Sequence, residues 1–172
     1  MTTSSKPESA PLAEAFADLD QEFASTRKIL ERFPDGKADW RPHNKSRTIG
    51  ELAAHVSQLP GLGMAILTQE RLDAATRPKQ PVIDTSADLV ANFDKNASAF
   101  RSALAAASAE DLDKTWSLGM GEKTYVSGKR SKLIRPMLIN HMIHHRAQLG
   151  VYYRLLDVPV PVIYGPTADE QF

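Results

Sequence analysis

The sequence predicts an all-α fold, a bundle of four helices in one domain. Four stretches place apolar residues at steps of three and four, which is the spacing of one buried helix face. Capping residues begin some of these stretches, and proline or glycine follows others. The links between them are short, and amphipathic helices with short links bury their apolar faces against one another.

The first half of the chain contains two of the predicted helices. One runs from about Leu12 to Phe33 and ends at Pro34-Asp35-Gly36. The next starts at Thr48, which together with Glu51 has the spacing of a capping box. Pro60-Gly61 is expected to kink or interrupt this helix, because proline lacks an N–H donor and clashes with the preceding turn.

The third helix follows a linker at residues 77–81, and Thr85 or Ser86 is expected to cap it. Its apolar face is predicted to comprise Val90, Phe93, Ala97, Phe100 and Leu104. From Thr115 to Val126 the residues alternate around Gly119-Met120-Gly121, which predicts a short hairpin or an extended loop.

The fourth helix is predicted from about Lys132 to Leu156. Its expected inward face comprises Ile134, Leu138, His141, His145, Leu149, Tyr152 and Leu156. Pro136 indicates either that the regular helix starts near Arg135 or that the proline lies in its first turn. The proline-rich segment from Pro159 to Phe172 predicts an ordered, non-helical tail.

Composition limits the classes of function. The sequence has 21 Lys and Arg against 21 Asp and Glu, so its net charge gives no reason to expect nucleic acid or an anionic membrane as partner. It has no cysteine, which excludes disulfides, thiolate metal sites and cysteine nucleophiles. Residues 1–11 lack an apolar core, so we expect a flexible tail, a domain over 12–172 and a cytoplasmic protein.

Two histidines on the fourth helix have the spacing of metal ligands. His141 and His145 are four residues apart, which places both imidazoles on one helix face. In an apolar face they need polar partners, because an unsatisfied buried polar group is costly. A metal ion would satisfy both, and hydrogen bonds to backbone or water would do so as well.

A third ligand would have to come from another helix. His55 borders the apolar face of the second helix and is our candidate, although a lone histidine there also fits an ordinary core position. His144 could compete for a ligand role, and His43 lies in a polar loop. Arg146 and Gln148 are candidates to orient the ligands, or are plain packing and surface residues.

Other motifs are absent or weak. Met142 stands where a His-Glu-x-x-His protease would carry its general base, and the sequence has no phosphate-binding loop, dinucleotide fingerprint or nucleophile elbow. Four aromatic residues could line a pocket near the histidines, or be core residues: Trp40, Tyr125, Tyr152 and Tyr153.

Several segments resemble the DinB-like (damage-inducible, YfiT-like) family. The resemblance lies in Asn140 through Leu149 with its His-His-Arg-x-Gln run, in the tail Tyr164-Gly165-Pro166, and in Trp40-Arg41-Pro42 and Glu51 through His55. It covers the chain from about Leu12 onward. The resemblance implies an up-down-down-up four-helix bundle that is often dimeric, with one divalent metal ion, often nickel or zinc, on His55, His141 and His145. Iron and copper also suit imidazole ligands.

The resemblance also implies two kinds of function. One is a metal-dependent enzyme acting on a small molecule, either a transferase using a low-molecular-weight thiol as co-substrate or a hydrolase. The other is a metal-binding stress-response protein without turnover. A histidine-lined bundle without metal is a third reading. Two positions depart from the family pattern, since Ala147 replaces its usual glycine and Met142 replaces a glutamate found in some members.

Overall fold

The computed structural model describes residues 16–76 and 83–171, where the protein is mostly helical with a small three-stranded sheet. The predicted tail at 1–11, the helix start at Leu12 and the linker at 77–81 lie outside these residues. The elements are, in chain order, α1 (Leu19–Glu31), α2 (Ile49–Thr68), β1 (Arg71–Asp73), α3 (Ser86–Ala106), α4 (Ala109–Asp113), β2 (Thr115–Met120), β3 (Lys123–Lys129), α5 (Arg130–Ile134), a π-helical segment (Arg135–Asn140) and α6 (His141–Leu155).

The N-termini of α2 and α3 have the predicted caps. The Thr48 side chain accepts from the Glu51 N–H, and the Glu51 carboxylate accepts from the Thr48 N–H, so the capping box is confirmed. Thr85 caps α3 by accepting from the Asp88 N–H. These bonds satisfy backbone donors that the first helical turn leaves without partners.

Side-chain contacts give the relative directions of the first three long helices. α1 and α3 are antiparallel, because Asp20 pairs with Arg101 while the later residue Arg27 pairs with the earlier Asp94. α2 and α3 are parallel. Asn92 donates to the Ser57 hydroxyl, and one turn further along both helices Asn96 lies against Gly61.

The last helical run packs against both α1 and α2. It is antiparallel to α2, because His55 contacts His141 whereas Gly63, two turns later, meets the earlier residue Leu138. It is parallel to α1, because the carbonyl groups of Glu22 and Ile29 accept from Arg146 and Tyr153, respectively. The histidine-bearing helix therefore lies between two helices that run in opposite directions.

Of the two effects expected of Pro60-Gly61, a kink or an interruption, the interruption does not occur, because α2 continues from Ile49 to Thr68 with Pro60 inside it. A proline within a helix disturbs the hydrogen bonds of the preceding turn. In this turn Asn96 of α3 donates to the Ser57 carbonyl at 3.2 Å. The carbonyl that loses its donor to Pro60 is that of Val56, one turn earlier, so the Asn96 bond lies one residue further along and links α2 to α3 beside the proline.

The start of the last helical run differs from both predictions, which were a helix start near Arg135 or Pro136 in the first helical turn. Regular helix begins earlier, at Arg130, and the proline lies at the start of the π-helical segment Arg135–Asn140. The wider π turn accommodates a residue that lacks an N–H donor. The predicted inward face is also partly wrong, because the buried residues of α6 are Met142, Arg146, Leu149 and Tyr153. His141 and His145 lie at the edge of this buried face.

A smaller correction concerns α3, where Leu89 is fully buried and the predicted Val90 is half-buried. Leu104, like Val90, is only half-buried. Phe93 and Phe100 are buried as predicted, and both pack edge-on against Phe23 of α1. The core therefore joins α1 and α3 through aromatic contacts.

The segment before the last helix is the predicted hairpin, with β2 and β3 antiparallel. The sheet departs from the all-α prediction, because β1 pairs in parallel with β2. β1 comprises only Arg71, Leu72 and Asp73, which is too short for an alternating pattern to predict a strand. Leu72 of β1 lies opposite Leu118 of β2.

Among the helices of residues 16–76 and 83–171, none is sufficiently long and apolar to cross a membrane. After α6 the chain continues to Gln171 without further helix or strand, as predicted for the tail. Ion pairs of Arg32 with Glu170 and of Arg154 with Asp169 hold this tail against α1 and α6.

The close approach of α2 to the last helical run generates a stability prediction. A Cβ atom on Gly63 would lie 2.6 Å from Leu138 Cδ2 and 2.8 Å from Phe100 Cδ2. We expect Gly63→Ala to lower the free energy of unfolding by about 1–3 kcal/mol, because overpacking a core forces side chains off their preferred rotamers.

The matched control is Gly150→Ala, also within a helix. The new Cβ would meet only Val160 Cγ1, at 3.8 Å. We expect this variant to be as stable as wild type or more stable by up to about 1 kcal/mol, because alanine favours helix over glycine. Urea denaturation of both variants tests the pair, and equal effects would contradict the proposed steric contact.

Candidate metal centre

The structure brings together the three histidines that the sequence singled out. His55 lies in the second turn of α2, while His141 and His145 lie in the first turns of α6. His141 Nε2 is 3.2 Å from His55 Nε2 and 2.9 Å from His145 Nε2. One ligand atom from each residue lies within 4.8 Å of the other two, so this group could hold a metal ion.

Hydrogen bonds fix the tautomers of two of these imidazoles. His141 Nδ1 lies 3.3 Å from the Met137 carbonyl oxygen, and His145 Nδ1 lies 2.7 Å from Gln148 Oε1. Both oxygens can only accept, so each Nδ1 carries the hydrogen and donates it. The Nε2 atom of each neutral ring is therefore left with a lone pair, which is the form that binds a metal.

The converging nitrogens suit a single ion. Lone pairs that face one another repel unless a cation lies between them. Two imidazole nitrogens that are each about 2.1 Å from one zinc ion lie roughly 3.0 Å apart at a right angle and roughly 3.4 Å apart at the tetrahedral angle. The observed separations of 2.9 and 3.2 Å fall near this range.

Partial burial disfavours protonation of two of the rings. Desolvation is the main cause that lowers the pKa of His141 and of His145, with smaller contributions from neighbouring positive charges, including Arg47. Hydrogen bonds to Met137 and Gln148 act in the opposite direction. A lowered pKa favours metal binding near neutral pH, because a protonated imidazole cannot be a ligand.

A small cavity of about 120 Å³ lies beside the cluster. His55 and His141 form part of its wall, and apolar side chains form most of the rest, with one amide: Gln58, Leu59, Leu62, Leu72, Leu118 and Met137. The sheet thus contributes Leu72 and Leu118 to the surroundings of the histidines. Sequence reasoning missed both, because nothing in the sequence places these strands beside α2.

Of the two residues proposed to orient the ligands, only Gln148 contacts one. Its Oε1 accepts from His145, while its Nε2 lies 3.2 Å from His144 Nε2. Arg146 points away from the histidines and is buried against α1, where it pairs with Glu22 at 2.7 Å. It also donates to the Thr26 and Tyr164 hydroxyl groups, so it joins α6 to α1 and the tail.

The other histidines lie outside the cluster. His144 is exposed, although its ring packs beside His145 with centroids 4.8 Å apart. His43 is exposed in the segment before α2, where its Nδ1 accepts from the Lys45 N–H.

The four aromatic candidates separate into two groups. Trp40 and Tyr152 pack edge to face with centroids 5.6 Å apart, and the Tyr152 hydroxyl donates to the Arg47 carbonyl. Tyr125 is on the exposed hairpin, and Tyr153 is a core residue that donates to the Ile29 carbonyl. None of the four residues lines the cavity beside His55 and His141.

Comparison with known proteins identifies the family. The model of the DinB family matches residues 1–171. The chain belongs to the DinB family. The family assignment made from the His-His-Arg-x-Gln run and the Tyr-Gly-Pro tail is thus confirmed. No curated protein gives a significant match to the sequence.

Solved structures of other DinB-like proteins share the fold. A DinB-like protein from Bacillus cereus is 21% identical with a TM-score of 0.65, over 87% of this chain and 95% of that one. A DinB-like protein from Bacillus subtilis is 16% identical with a TM-score of 0.64, over 86% and 96%. A candidate DinB family member from Exiguobacterium sibiricum is 19% identical with a TM-score of 0.65, over 91% and 98%. At these identities the likeness concerns the fold alone.

The buried ion pair between Arg146 and Glu22 generates a second stability prediction. Glu22→Gln should lower the free energy of unfolding by about 3–5 kcal/mol, because the charge of Arg146 would then be buried without a counter-charge. Asp20→Asn is the matched control on the same helix, since Asp20 pairs with Arg101 at the exposed surface. We expect it to cost less than about 1 kcal/mol. Equal losses in thermal denaturation would show that the burial of the pair does not matter.

Proposed function

We propose that this DinB-family protein binds one divalent metal ion, nickel or zinc, through His55, His141 and His145. The observation that carries the proposal is the convergence of the three Nε2 atoms, two of which have their tautomer set by an acceptor at Nδ1. The absence of cysteine fits such a site, because imidazole alone can bind either metal.

We further propose that the protein is a metal-dependent enzyme acting on a small molecule, either a thiol S-transferase or a hydrolase. Three protein ligands leave coordination positions open, which is typical of catalytic rather than structural sites. A bound ion would supply Lewis acidity and lower the pKa of a water or thiol at such a position. The adjacent cavity offers space for the apolar part of a substrate.

Several residues of this chain would orient the metal ligands or line the substrate cavity. Gln148 and the Met137 carbonyl orient two imidazoles. Gln58 places one amide in an otherwise apolar cavity wall. Since the chain has no thiol, a transferase of this kind would take its sulfur from a low-molecular-weight thiol as co-substrate.

A second candidate is a metal-binding stress-response protein without turnover. The observation that favours it is the residue at position 142. Some relatives carry a carboxylate there, whereas this chain has Met142, which is fully buried. In addition, no carboxylate of the described residues hydrogen-bonds to His141 or His145. Among residues 16–76 and 83–171, therefore, no carboxylate is hydrogen-bonded to these two ligands as a candidate base.

We also infer the up-down-down-up four-helix bundle over residues 12–172, formed by α1, α2, α3 and α6. The pairwise directions of these helices support it, with the parallel pair α2 and α3 requiring the long crossover. A homodimer is part of the proposal, and exposed Val151 and Leu155 on α6 support it. We propose a small-molecule substrate, a cytoplasmic location, and neither nucleic acid nor membrane as partner, in line with the zero net charge.

Metal content tests the site directly. We expect about one equivalent of nickel or zinc per chain in untagged wild-type protein, and loss of metal in His55→Ala, His141→Ala and His145→Ala, because two imidazoles hold an ion poorly. His43→Ala and His144→Ala are the controls, since both residues are exposed and lie outside the cluster. Elemental analysis that finds no metal after incubation with either ion would refute the proposal.

Gln148→Ala tests whether the residue orients His145. Removing a hydrogen-bond partner of a ligating histidine typically weakens metal binding by about 10–100-fold. We expect a shift of that size in a competition titration with a chelator, with the fold unchanged because Gln148 is exposed. An unchanged affinity would make Gln148 an ordinary surface residue.

A further inference from the structure

A second cavity, of about 490 Å³, lies between α6 and the C-terminal tail. Its α6 side includes Ile143 and Gly150, and its tail side includes Val160 and Ile163. Ile29 of α1, which is almost completely buried, also lines it. Three parts of the chain thus surround a mostly apolar space, and its volume falls in the range of about 300–1,000 Å³ that is typical of small-molecule sites.

This cavity is separate from the candidate metal centre. The residues that line it include none of the three clustered histidines. Successive residues of an α-helix are about 100° apart around its axis, so Ile143 and Gly150 face away from His141 and His145. A ligand in this cavity would therefore be additional to the proposed metal ion.

Hydrogen bonds and an ion pair hold the tail in place as one wall of the cavity. The Asp169 carboxylate accepts from the Val160 N–H at 2.8 Å and pairs with Arg154 of α6. The Thr167 hydroxyl donates to the Val160 carbonyl at 2.8 Å and accepts from the Glu170 N–H at 3.0 Å. A wall fixed in this way keeps the cavity formed in the absence of a ligand, which is usual for small-molecule sites.

Gly150 leaves part of the space between α6 and the tail unfilled. A Cβ atom at this position would meet only Val160 Cγ1, at 3.8 Å. A side chain longer than that of alanine would therefore extend into the cavity, which makes position 150 suitable for blocking it.

The polar groups of the wall already have partners. Arg146 pairs with the Glu22 carboxylate at 2.7 Å, and the Tyr164 hydroxyl donates to the same carboxylate at 2.8 Å. Arg154 and Thr167 are engaged with the tail. A charged or strongly polar ligand group would lose its hydration in this cavity without gaining a partner, which is costly. The wall therefore favours a neutral, apolar ligand.

Exposed apolar side chains surround the mouth of the cavity. Val151, Leu155 and Tyr164 all line it, and each is more than half exposed. Exposed apolar groups that lie together typically mark a binding surface, whereas single ones are common on any protein. Among the described residues, the other large exposed apolar side chains are Met120 and Tyr125, which belong to the hairpin.

We propose that the cavity between α6 and the tail binds a neutral, apolar small molecule. The inference goes beyond the proposed metal-dependent function and does not depend on it. Val151 and Leu155 also support the proposed homodimer, so the oligomeric state has to be measured together with ligand binding.

The test uses two fluorescent probes that share one aromatic skeleton. N-phenylnaphthylamine is neutral, and anilinonaphthalenesulfonate carries an additional sulfonate group. Both are titrated into the full chain as wild type, Gly150→Leu, Ala147→Leu and Tyr125→Ser, and light scattering gives the oligomeric state of each sample. Ala147→Leu is the second blocking variant, because Ala147 lines the cavity at an exposed position where leucine is compatible with a helix. Tyr125→Ser is the control, since it removes an exposed aromatic ring outside the cavity.

We expect wild type to bind the neutral probe and Gly150→Leu to bind it about tenfold or more weakly, because each methylene displaced from an apolar contact costs roughly a factor of four in affinity. Ala147→Leu should weaken binding in the same direction, and Tyr125→Ser should leave it unchanged. The sulfonate probe should bind wild type about tenfold or more weakly than the neutral probe, since its charge would be desolvated without a partner.

Three outcomes would overturn the proposal. Equal binding of the neutral probe by wild type and both blocking variants would show that the probe does not occupy this cavity. Equal affinity of wild type for the two probes would contradict the neutral class of ligand. A dimeric wild type that binds the neutral probe only after dilution to the monomer would show that a second copy covers the cavity. Elemental analysis measures the metal site separately, so each of these outcomes leaves that site untouched.

Discussion

The close packing of α2 against the last helical run is the constraint on which the candidate site depends. An imidazole extends only a short distance from its backbone, so His55 can meet His141 only where the two helices lie near each other. Gly63 permits this approach, because a Cβ atom there would overlap Leu138 and Phe100. Two turns before Gly63, the same interface carries His55. A packing feature of the core thereby sets the separation of the ligands.

The opposite side of α6 must be held as firmly, since a helix free to rotate would separate its two histidines from His55. Arg146 and Tyr153 hold that side by hydrogen bonds to carbonyl groups of α1, and Arg146 adds its buried pair with Glu22. A buried ion pair is weak evidence for stability, because desolvation offsets much of the attraction. Its directional contacts do, however, fix the rotation of the helix, which is what two ligands on adjacent turns require.

Sequence reasoning recovered the features that local chemistry determines. The Thr48–Glu51 capping box, the Thr85 cap and the β2–β3 hairpin are local signals and are confirmed. It misjudged the features that depend on distant partners. α2 continues without interruption through Pro60, where it contacts Asn96 of α3, and β1 pairs with β2, which is distant in the sequence. Neither contact is visible in the residues concerned.

The histidine cluster shows the same division between local and distant information. The four-residue spacing of His141 and His145 could be recognised in the sequence. Both residues nevertheless lie at the edge of the buried face of α6, which comprises Met142, Arg146, Leu149 and Tyr153. This edge position has a chemical consequence. A ligand at the centre of the core would hold an ion that no other molecule could reach, whereas half-buried imidazoles leave a path from solvent. The sequence placed His141 and His145 within the buried face, and the structure places them at its edge. This difference matters because solvent access to the ligands separates a structural metal ion from one that other molecules can reach.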